Sequence, residues 1–214
     1  MDIPRGSVST AGGSADRWGE EQQAAARKGL WRWFLAALGL SPAARRADAL
    51  AADCHAGAVG EQRTAALLRP LEGVGWLVLH DRAIPGASRA NADHILVSPG
   101  GRLFLVDSKL WSRRYPVYER AGTLWHGQAD RGQSVRSVLY EADLVARAVG
   151  VVVQPVIAMH NAPVAGGGFF VRDVPVVPAV RLVEMLQGND WPRDAAAARA
   201  LARRARTVLP PYLG

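Results

Sequence analysis

A chain of 214 residues is long enough for one ordinary domain with extensions and for a substantial buried core. Hydrophobic residues make up 49% and charged residues 21%, which excludes a wholly disordered chain. The single cysteine, Cys54, excludes an internal disulfide framework and a cysteine-built zinc site, and it suits a reducing, cytoplasmic location. The net charge of +7 favours polyanionic partners, nucleic acid above all, although an arginine-rich coding bias explains it equally well.

Residues 1–54 are expected to form a flexible arm that carries one amphipathic helix. The start of the chain is polar and rich in Gly and Ser. The apolar run Trp31–Leu40 is about half the roughly 20 residues that span a bilayer, so we expect no integral membrane association. Its large apolar residues recur at helical spacing near basic ones, which is typical of a helix that docks on the domain itself, on a protein partner or on a membrane surface.

The rest of the chain predicts alternating helices and strands. Apolar periodicity and the intervening Gly and Pro signals mark each element. The predicted elements are a helix at Ala56–Leu71, strands at Trp76–His80, Asp93–Ser98, Leu103–Lys109, Tyr115–Glu119 and Leu124–His126, a helix at Gln133–Val149, strands at Val151–Met159 and Val174–Val180, and a helix at Ala195–Val208. This order predicts an α/β fold built in layers.

Two nearly continuous apolar runs, separated by the turn signal at 99–101, predict a β-hairpin of central strands. If the turn takes three residues, Asp93 in the first strand lies opposite Asp107 in the second, about 4.5–5.5 Å away at Cβ. Lys109 shares the face of Asp107 because it is two residues further along the strand. His94 points to the opposite face, which predicts a structural role. A slip of one residue in the register would separate the two carboxylates by face.

Two carboxylates and a lysine at the ends of buried strands are costly unless they are paired or bind a metal ion. One explanation is a plain ion pair of Lys109 with Asp107 or Asp93 at a solvated edge. The other is a site for Mg²⁺ or Mn²⁺, since Mg²⁺ in proteins binds one or two carboxylates and keeps several waters. A lysine beside such an ion can orient water and offset charge at phosphorus.

The runs GAVGEQRTAALL, LHD and NADHILVSPGGRLFLVDSKLW, in this order, resemble the nuclease-related domain (NERD) family, a branch of the PD-(D/E)XK nuclease superfamily. The likeness extends over residues 55–161, about half of the chain. It implies a mixed central sheet flanked by helices, with an N-terminal amphipathic helix and a C-terminal helix beside it. Three segments are expected: the arm at 1–54, the nuclease-related domain at 55–162, and a C-terminal strand and helix at 163–214 that pack on the core.

The resemblance also implies roles for individual residues. Asp93 is the first acidic metal ligand, and Asp107 and Lys109 are the acidic residue and the lysine of the (D/E)-x-K element. Glu61 in the first helix is similar to an additional acidic residue of such nucleases, and Gln133 to a glutamine that the family often has at the head of the next helix. This chain departs from the usual pattern in having Asp rather than Glu at 107 and Ala before Asp93.

Aromatic and arginine residues follow Lys109 directly. Trp111, Arg113 and Arg114 are candidates for contacts with phosphates and bases of nucleic acid, because aromatic rings stack on bases and guanidinium groups bind phosphates. A solvated edge strand is the alternative explanation of the same pattern.

The function implied by the resemblance is hydrolysis of phosphodiester bonds, in DNA. One or two Mg²⁺ or Mn²⁺ ions, held by Asp93 and Asp107 with help from Glu61, would activate water, and Lys109 would position it. The alternative is a catalytically inactive nuclease fold that binds DNA or a protein partner. The net charge fits both.

Overall fold

The computed structural model describes residues 42–87 and 91–212, with side chains described from His55 onward. The amphipathic helix predicted at Trp31–Leu40 lies outside the described residues. Its interpretation as a docking helix therefore stays a prediction.

The predicted helices and strands are present, with shifts of a few residues at most ends. The first helix is the exception, because it begins at Pro42 rather than at Ala56 and so extends into the segment that was expected to be a flexible arm. In chain order the elements are α1 (Pro42–Glu72), β1 (Leu77–Ala83), β2 (Asn91–Val97), β3 (Leu103–Leu110), β4 (Val117–Arg120), β5 (Thr123–His126), β6 (Ala129–Asp130), α2 (Gly132–Val149), β7 (Val153–His160), β8 (Phe169–Val171), β9 (Val174–Pro178), α3 (Leu182–Gly188) and α4 (Ala195–Val208). The sequence did not predict the short elements β6, β8 and α3. They have too few residues to show a periodic apolar pattern.

A mixed six-stranded sheet forms the centre of the fold, in the order β1-β2-β3-β7-β9-β8. The β1–β2 and β2–β3 pairs are antiparallel, β3, β7 and β9 are parallel, and β8 is antiparallel to β9. A parallel neighbour needs a long crossover, and α2 lies within the connection from β3 to β7. Strands β4, β5 and β6 form a separate small sheet in that same connection.

Helices cover both faces of the central sheet, as the apolar strands predicted. Phe104 and Val106 of β3 pack in a layer with α1 and α3. Leu103 and Leu105 pack in a layer with α2 and α4. Because side chains alternate along a strand, each residue of β3 has a known side, and this alternation determines where its polar residues point.

The β2–β3 hairpin has the register that a three-residue turn predicts. His94 pairs with Val106 and Val97 with Leu103, and the Ser98 N–H donates to the Arg102 carbonyl oxygen at 2.9 Å. Extension of this register by one pair puts Asp93 opposite Asp107. The predicted arrangement of the two carboxylates on one face is therefore confirmed.

The C-terminal segment holds the hairpin turn. Asp190 accepts hydrogen bonds from the Ser98 hydroxyl and from the Gly100 N–H, and the Asp194 N–H donates to the Pro99 carbonyl oxygen at 3.1 Å. Asp194 also caps the first turn of α4. The strands that carry Asp93 and Asp107 are thus fixed at their far end by residues beyond the nuclease-like core. Within the described part of the chain, no helix is long and apolar enough to cross a membrane.

Candidate functional site

Asp93, Asp107 and Lys109 lie together near the open end of the hairpin, on the face covered by α2 and α4. The Lys109 ammonium donates to Asp107 Oδ1 at 2.7 Å. The Ser108 N–H donates to Asp93 Oδ2 at 2.9 Å. Asp107 Oδ2 is buried and has no hydrogen-bond partner among the described residues. A buried carboxylate oxygen without a donor is unusual, and it marks a place where a cation or water can bind.

The electrostatics of the group are those of crowded carboxylates. Burial, with the charge of Asp107, raises the pKa of Asp93 to about 7, against the opposing effects of Lys109 and the Ser108 N–H. Burial disfavours the charge on Lys109, but the charges of Asp107 and Asp93 outweigh it, so that the pKa of Lys109 lies above its ordinary value. Lys109 is therefore an ammonium at neutral pH and cannot act there as a free base.

Glu141 of α2 is a further acidic residue of the same group, and it was not predicted from the sequence. Burial, together with the charges of Asp107 and Asp93, raises the pKa of Glu141 to about 8. Glu141 lies three positions after Val138 and four before Val145, which are both buried residues of α2. A charged residue within the apolar stripe of a helix was the available signal.

Asp81 extends the row of aspartates onto β1. It falls between the pairs His80–His94 and Arg82–Ala92, so it is level with Asp93. It is buried, has a positive φ of 48°, and accepts a hydrogen bond from the Asn91 side chain at 2.7 Å. Its charge contributes to the raised pKa of Asp93. Three adjacent strands thus present an aspartate at the same level.

Glu61 belongs to α1, which packs on the other face of the sheet. It is buried, and a Cβ at its neighbour Gly60 would lie 3.3 Å from the Cβ of Leu110 at the end of β3. This close approach brings the helix backbone to the strand end that follows Lys109. Asp93, Lys109 and Glu141 shift one another's pKa values, and the charges of Asp107 and Asp81 contribute as well; the charge of Glu61 is not among these causes. The role implied for Glu61 stays a prediction.

His94 lies on the α1 face, as predicted, in a chain of hydrogen bonds. Its two ring nitrogens contact the His80 ring at 2.8 Å and the Ser108 hydroxyl at 3.2 Å. Ser108 also bonds to Thr64 at 2.9 Å, and Thr64 to His160 at 2.7 Å. Burial lowers the pKa of His94 well below its ordinary value, with help from the charges of neighbouring histidines. The neutral ring is thus part of the packing on this face.

The aromatic and arginine residues after β3 form the border of the site. The Trp111 ring stacks on His126, with centroids 5.2 Å apart, and the Arg131 guanidinium lies 5.2 Å from its centroid. Arg113 and Arg114 are exposed in the loop that follows. Trp111 therefore has ring partners within the protein, whereas the two arginines are accessible to a polyanion.

Gln133 is exposed in the first turn of α2. Its side chain accepts a hydrogen bond from Arg136 and donates to Ser137. Because α2 connects the end of β3 to the start of β7, its first turn lies at the same end of the sheet as Lys109. Gln133 thus lies at the head of the helix, as predicted, and its role in binding nucleic acid stays a prediction.

The donor set fits a hard divalent cation. Among the described residues, no three His, Cys, Asp or Glu side chains form a ready-made metal site. Mg²⁺ does not require one, because it commonly takes one or two carboxylates and completes its shell with waters. Asp93 and Asp107 supply such a pair, and the Asp107 oxygen that lacks a donor is free to accept a cation.

The mixed sheet between two helical layers, with paired aspartates and a lysine at the strand ends, defines an α/β protein with a nuclease-like fold. The family model of the nuclease-related domain matches residues 56–160, and through this segment the chain belongs to that family. No curated protein and no solved structure matches the chain.

Proposed function

We propose that this protein hydrolyses phosphodiester bonds in DNA and uses Mg²⁺ or Mn²⁺ to do so. The observation that supports this best is the Asp107 side chain. One of its oxygens is bonded to Lys109, and the other is buried without a donor, next to Asp93. A buried carboxylate that served stability alone would have hydrogen-bond or ion-pair partners for both of its oxygens.

Asp93 and Asp107 would hold the ion, with Glu141 and Asp81 as acidic neighbours and Glu61 approaching from α1 at the end of β3. When bound, the ion supplies Lewis acidity towards a phosphoryl oxygen and a lowered pKa of bound water. The net negative charge of the carboxylates matches a divalent cation. Without one, burial and then the neighbouring negative charges raise the pKa values of Asp93 and Glu141.

Lys109 would orient the attacking water and offset the negative charge that builds up on the phosphoryl oxygens. A positively charged donor that is already fixed beside the reacting phosphate stabilises the transition state without reorganisation. Its ion pair with Asp107 and its proton at neutral pH suit this electrostatic role better than that of a general base.

An inactive nuclease fold that binds DNA or a protein is the second candidate. The 2.7 Å ion pair between Lys109 and Asp107 favours it, because an ammonium at that oxygen neutralises part of the charge that a metal ion would otherwise meet. In that case the site would be an internal ion pair, and the basic surface of the protein would carry the function.

Cleavage of single-stranded, double-stranded and branched DNA by wild type and Lys109→Ala separates the two candidates. Each protein is tested with Mg²⁺, Mn²⁺ and EDTA. Hydrolysis by wild type should require the metal and should fall by roughly two to four orders of magnitude in the variant, whose metal binding should persist. Equal rates in both proteins, or no cleavage of any DNA form, would support the inactive module.

Lys109→Arg provides a matched control, because it keeps the charge and changes the geometry of the donor. If Lys109 acts on the reacting phosphate, this variant should recover only part of the rate. If it is only the ion-pair partner of Asp107, Lys109→Ala should lower the free energy of unfolding and Lys109→Arg should restore it.

A further inference from the structure

Three arginines form a stripe along the outer surface of α4. Arg199, Arg203 and Arg206 are separated by four and three residues, so they lie within about 60° of one another around a helix of 3.6 residues per turn. All three are exposed, and Leu201 and Ala205 on the other side of the helix are buried. The helix contains no acidic residue between 195 and 208, so nothing within it neutralises the stripe.

The contacts at its two ends show how α4 lies on the sheet. At its start, the Cβ of Ala197 would be 3.4 Å from a Cβ at Gly101, in the turn between β2 and β3. After its last residue, the Pro210 carbonyl oxygen accepts from the Ala83 N–H at 2.9 Å, and Arg82 bridges to Pro211. The helix therefore runs the length of the hairpin, from its turn to the open end where Asp93 lies.

Arg82 continues the positive charge from the end of α4 to the aspartates. It pairs with Ala92, the residue before Asp93. Its guanidinium Nε is buried and has no hydrogen-bond partner among the described residues. Burial, together with the charge of Arg206, lowers the pKa of Arg82, and the charge of Asp81 opposes this shift. An anion beside Arg82 would stabilise its charged form and supply an acceptor for the Nε that has none.

We propose that Arg199, Arg203 and Arg206, continued by Arg82, bind the sugar-phosphate backbone of a nucleic-acid strand and lead it to the aspartates. Positions 199 and 203 are about 6 Å apart along the axis, at 1.5 Å per residue, which suits one arginine per phosphate of an extended backbone. The binding itself is independent of hydrolysis. Only the statement that the strand ends at the cleavage site rests on the proposed function.

Arg204 provides a comparison that separates binding to this stripe from a general effect of positive charge. This residue is on the same helix, but it is about 140° around from Arg199, and its guanidinium packs against Gly150 at the end of α2. If the net charge of +7 alone determined DNA binding, the removal of any three positive charges would weaken it to a similar degree. If instead DNA binds to the track formed by Arg199, Arg203 and Arg206, affinity falls only when these residues are changed.

The test compares two triple variants with the same loss of charge. The track variant carries Arg199→Gln, Arg203→Gln and Arg206→Gln, and the control carries Arg69→Gln, Arg172→Gln and Arg204→Gln, all at exposed positions. Binding of a labelled 20-base-pair duplex is measured by fluorescence anisotropy in EDTA over a salt series. At 0.1 M salt the track variant should bind on the order of 100-fold more weakly, with a salt slope smaller by about 2.7, and the control should lose little.

Equal losses in the two triple variants, or no DNA binding by wild type at low salt, would overturn the proposal. So would binding to vesicles with 30% anionic lipid in place of DNA. A second track variant with lysine at all three positions keeps the charge and should keep most of the affinity. Cleavage is measured on the same proteins. If the track variant loses DNA binding and none of the proteins cleaves DNA, the track is supported and hydrolysis is refuted. If the proteins cleave DNA and the track variant binds it as wild type does, hydrolysis is supported and the track is refuted.

Discussion

Successive residues of β3 send polar side chains to opposite faces of the sheet, and the two faces treat them differently. Ser108 points under α1, where its hydroxyl joins His94 and Thr64 in a continuous chain of hydrogen bonds. Asp107 points under α2, where one oxygen lacks a donor and carboxylates crowd together. Both sets are buried by the same helices-on-sheet packing. The difference is the one we expect if the first set stabilises the fold and the second binds the metal ion of the proposed function.

The two faces also respond to pH in opposite directions. A carboxylate whose pKa is raised in the folded state binds more protons there than in the unfolded chain, so it lowers stability as the pH rises. A histidine whose pKa is lowered binds fewer protons in the folded state, so it lowers stability as the pH falls. The comparison can therefore be broken or sharpened by variants that act on one face only.

The largest effect is expected from Asp93→Asn combined with Asp107→Asn. Mn²⁺ affinity, measured by calorimetric titration, should fall below detection because both carboxylate ligands are gone. The domain should remain folded in EDTA, since the loss of like-charge repulsion between the carboxylates offsets part of the loss of the Lys109–Asp107 ion pair. A matched variant, Asp143→Asn with Asp173→Asn, removes two exposed aspartates and should keep wild-type affinity. Unchanged affinity in the first variant would refute the assignment of the site.

Thr64→Val should show the opposite pattern. Valine has nearly the shape of threonine but leaves the Ser108 hydroxyl and the His160 ring without their shared partner. Urea denaturation should reveal a loss of roughly 1–3 kcal/mol in the free energy of unfolding. Mn²⁺ affinity should stay close to that of wild type. A large drop in metal affinity at full folding would show that the α1 face takes part in binding and would remove the contrast between the faces.

Glu141→Gln should stabilise the metal-free protein at high pH. With the pKa of Glu141 at about 8 in the folded state and an ordinary value of 4.5, its contribution to stability is lost as the pH rises from 5 to 9. The variant should therefore gain on wild type by at least about 1.4 kcal/mol over this range, the equivalent of a single pKa unit of the larger shift. Glu184→Gln, at an exposed glutamate, should show no such trend. A parallel pH dependence in all three proteins would place Glu141 outside the acidic group.

The smallest effect is expected at His160. Burial lowers its pKa, with a contribution from Arg63, so the folded state resists protonation and loses stability as the pH falls below about 6.5. His160→Gln should weaken this acid-side loss by less than about 1 kcal/mol between pH 7 and 5. The variant is compared with wild type by urea denaturation at both pH values. An acid-side loss that is larger in the variant than in wild type would contradict the sign.

Much of the fold and part of the site followed from the order of residues alone. The hairpin could be predicted because apolar runs and the Pro99-Gly100-Gly101 turn are local signals, and a three-residue turn determines the pairing of Asp93 with Asp107. Lys109 followed from alternation along one strand. The family relation likewise rests on a contiguous segment, residues 56–160.

Only the tertiary structure brought Glu141 to Asp107, set Asp81 level with Asp93, and laid α4 along the hairpin with its arginines leading to the open end. These relations join residues that are distant in the chain, and they depend on how helices pack across a sheet, which no local pattern encodes. The C-terminal segment illustrates the reason. The Ala and Arg residues of this segment predict its helix. The position of the helix, however, depends on the hydrogen bond from the Ala83 N–H to the Pro210 carbonyl oxygen and on the hydrogen bonds that Asp190 accepts from the hairpin turn. These hydrogen bonds form only when the whole sheet is assembled.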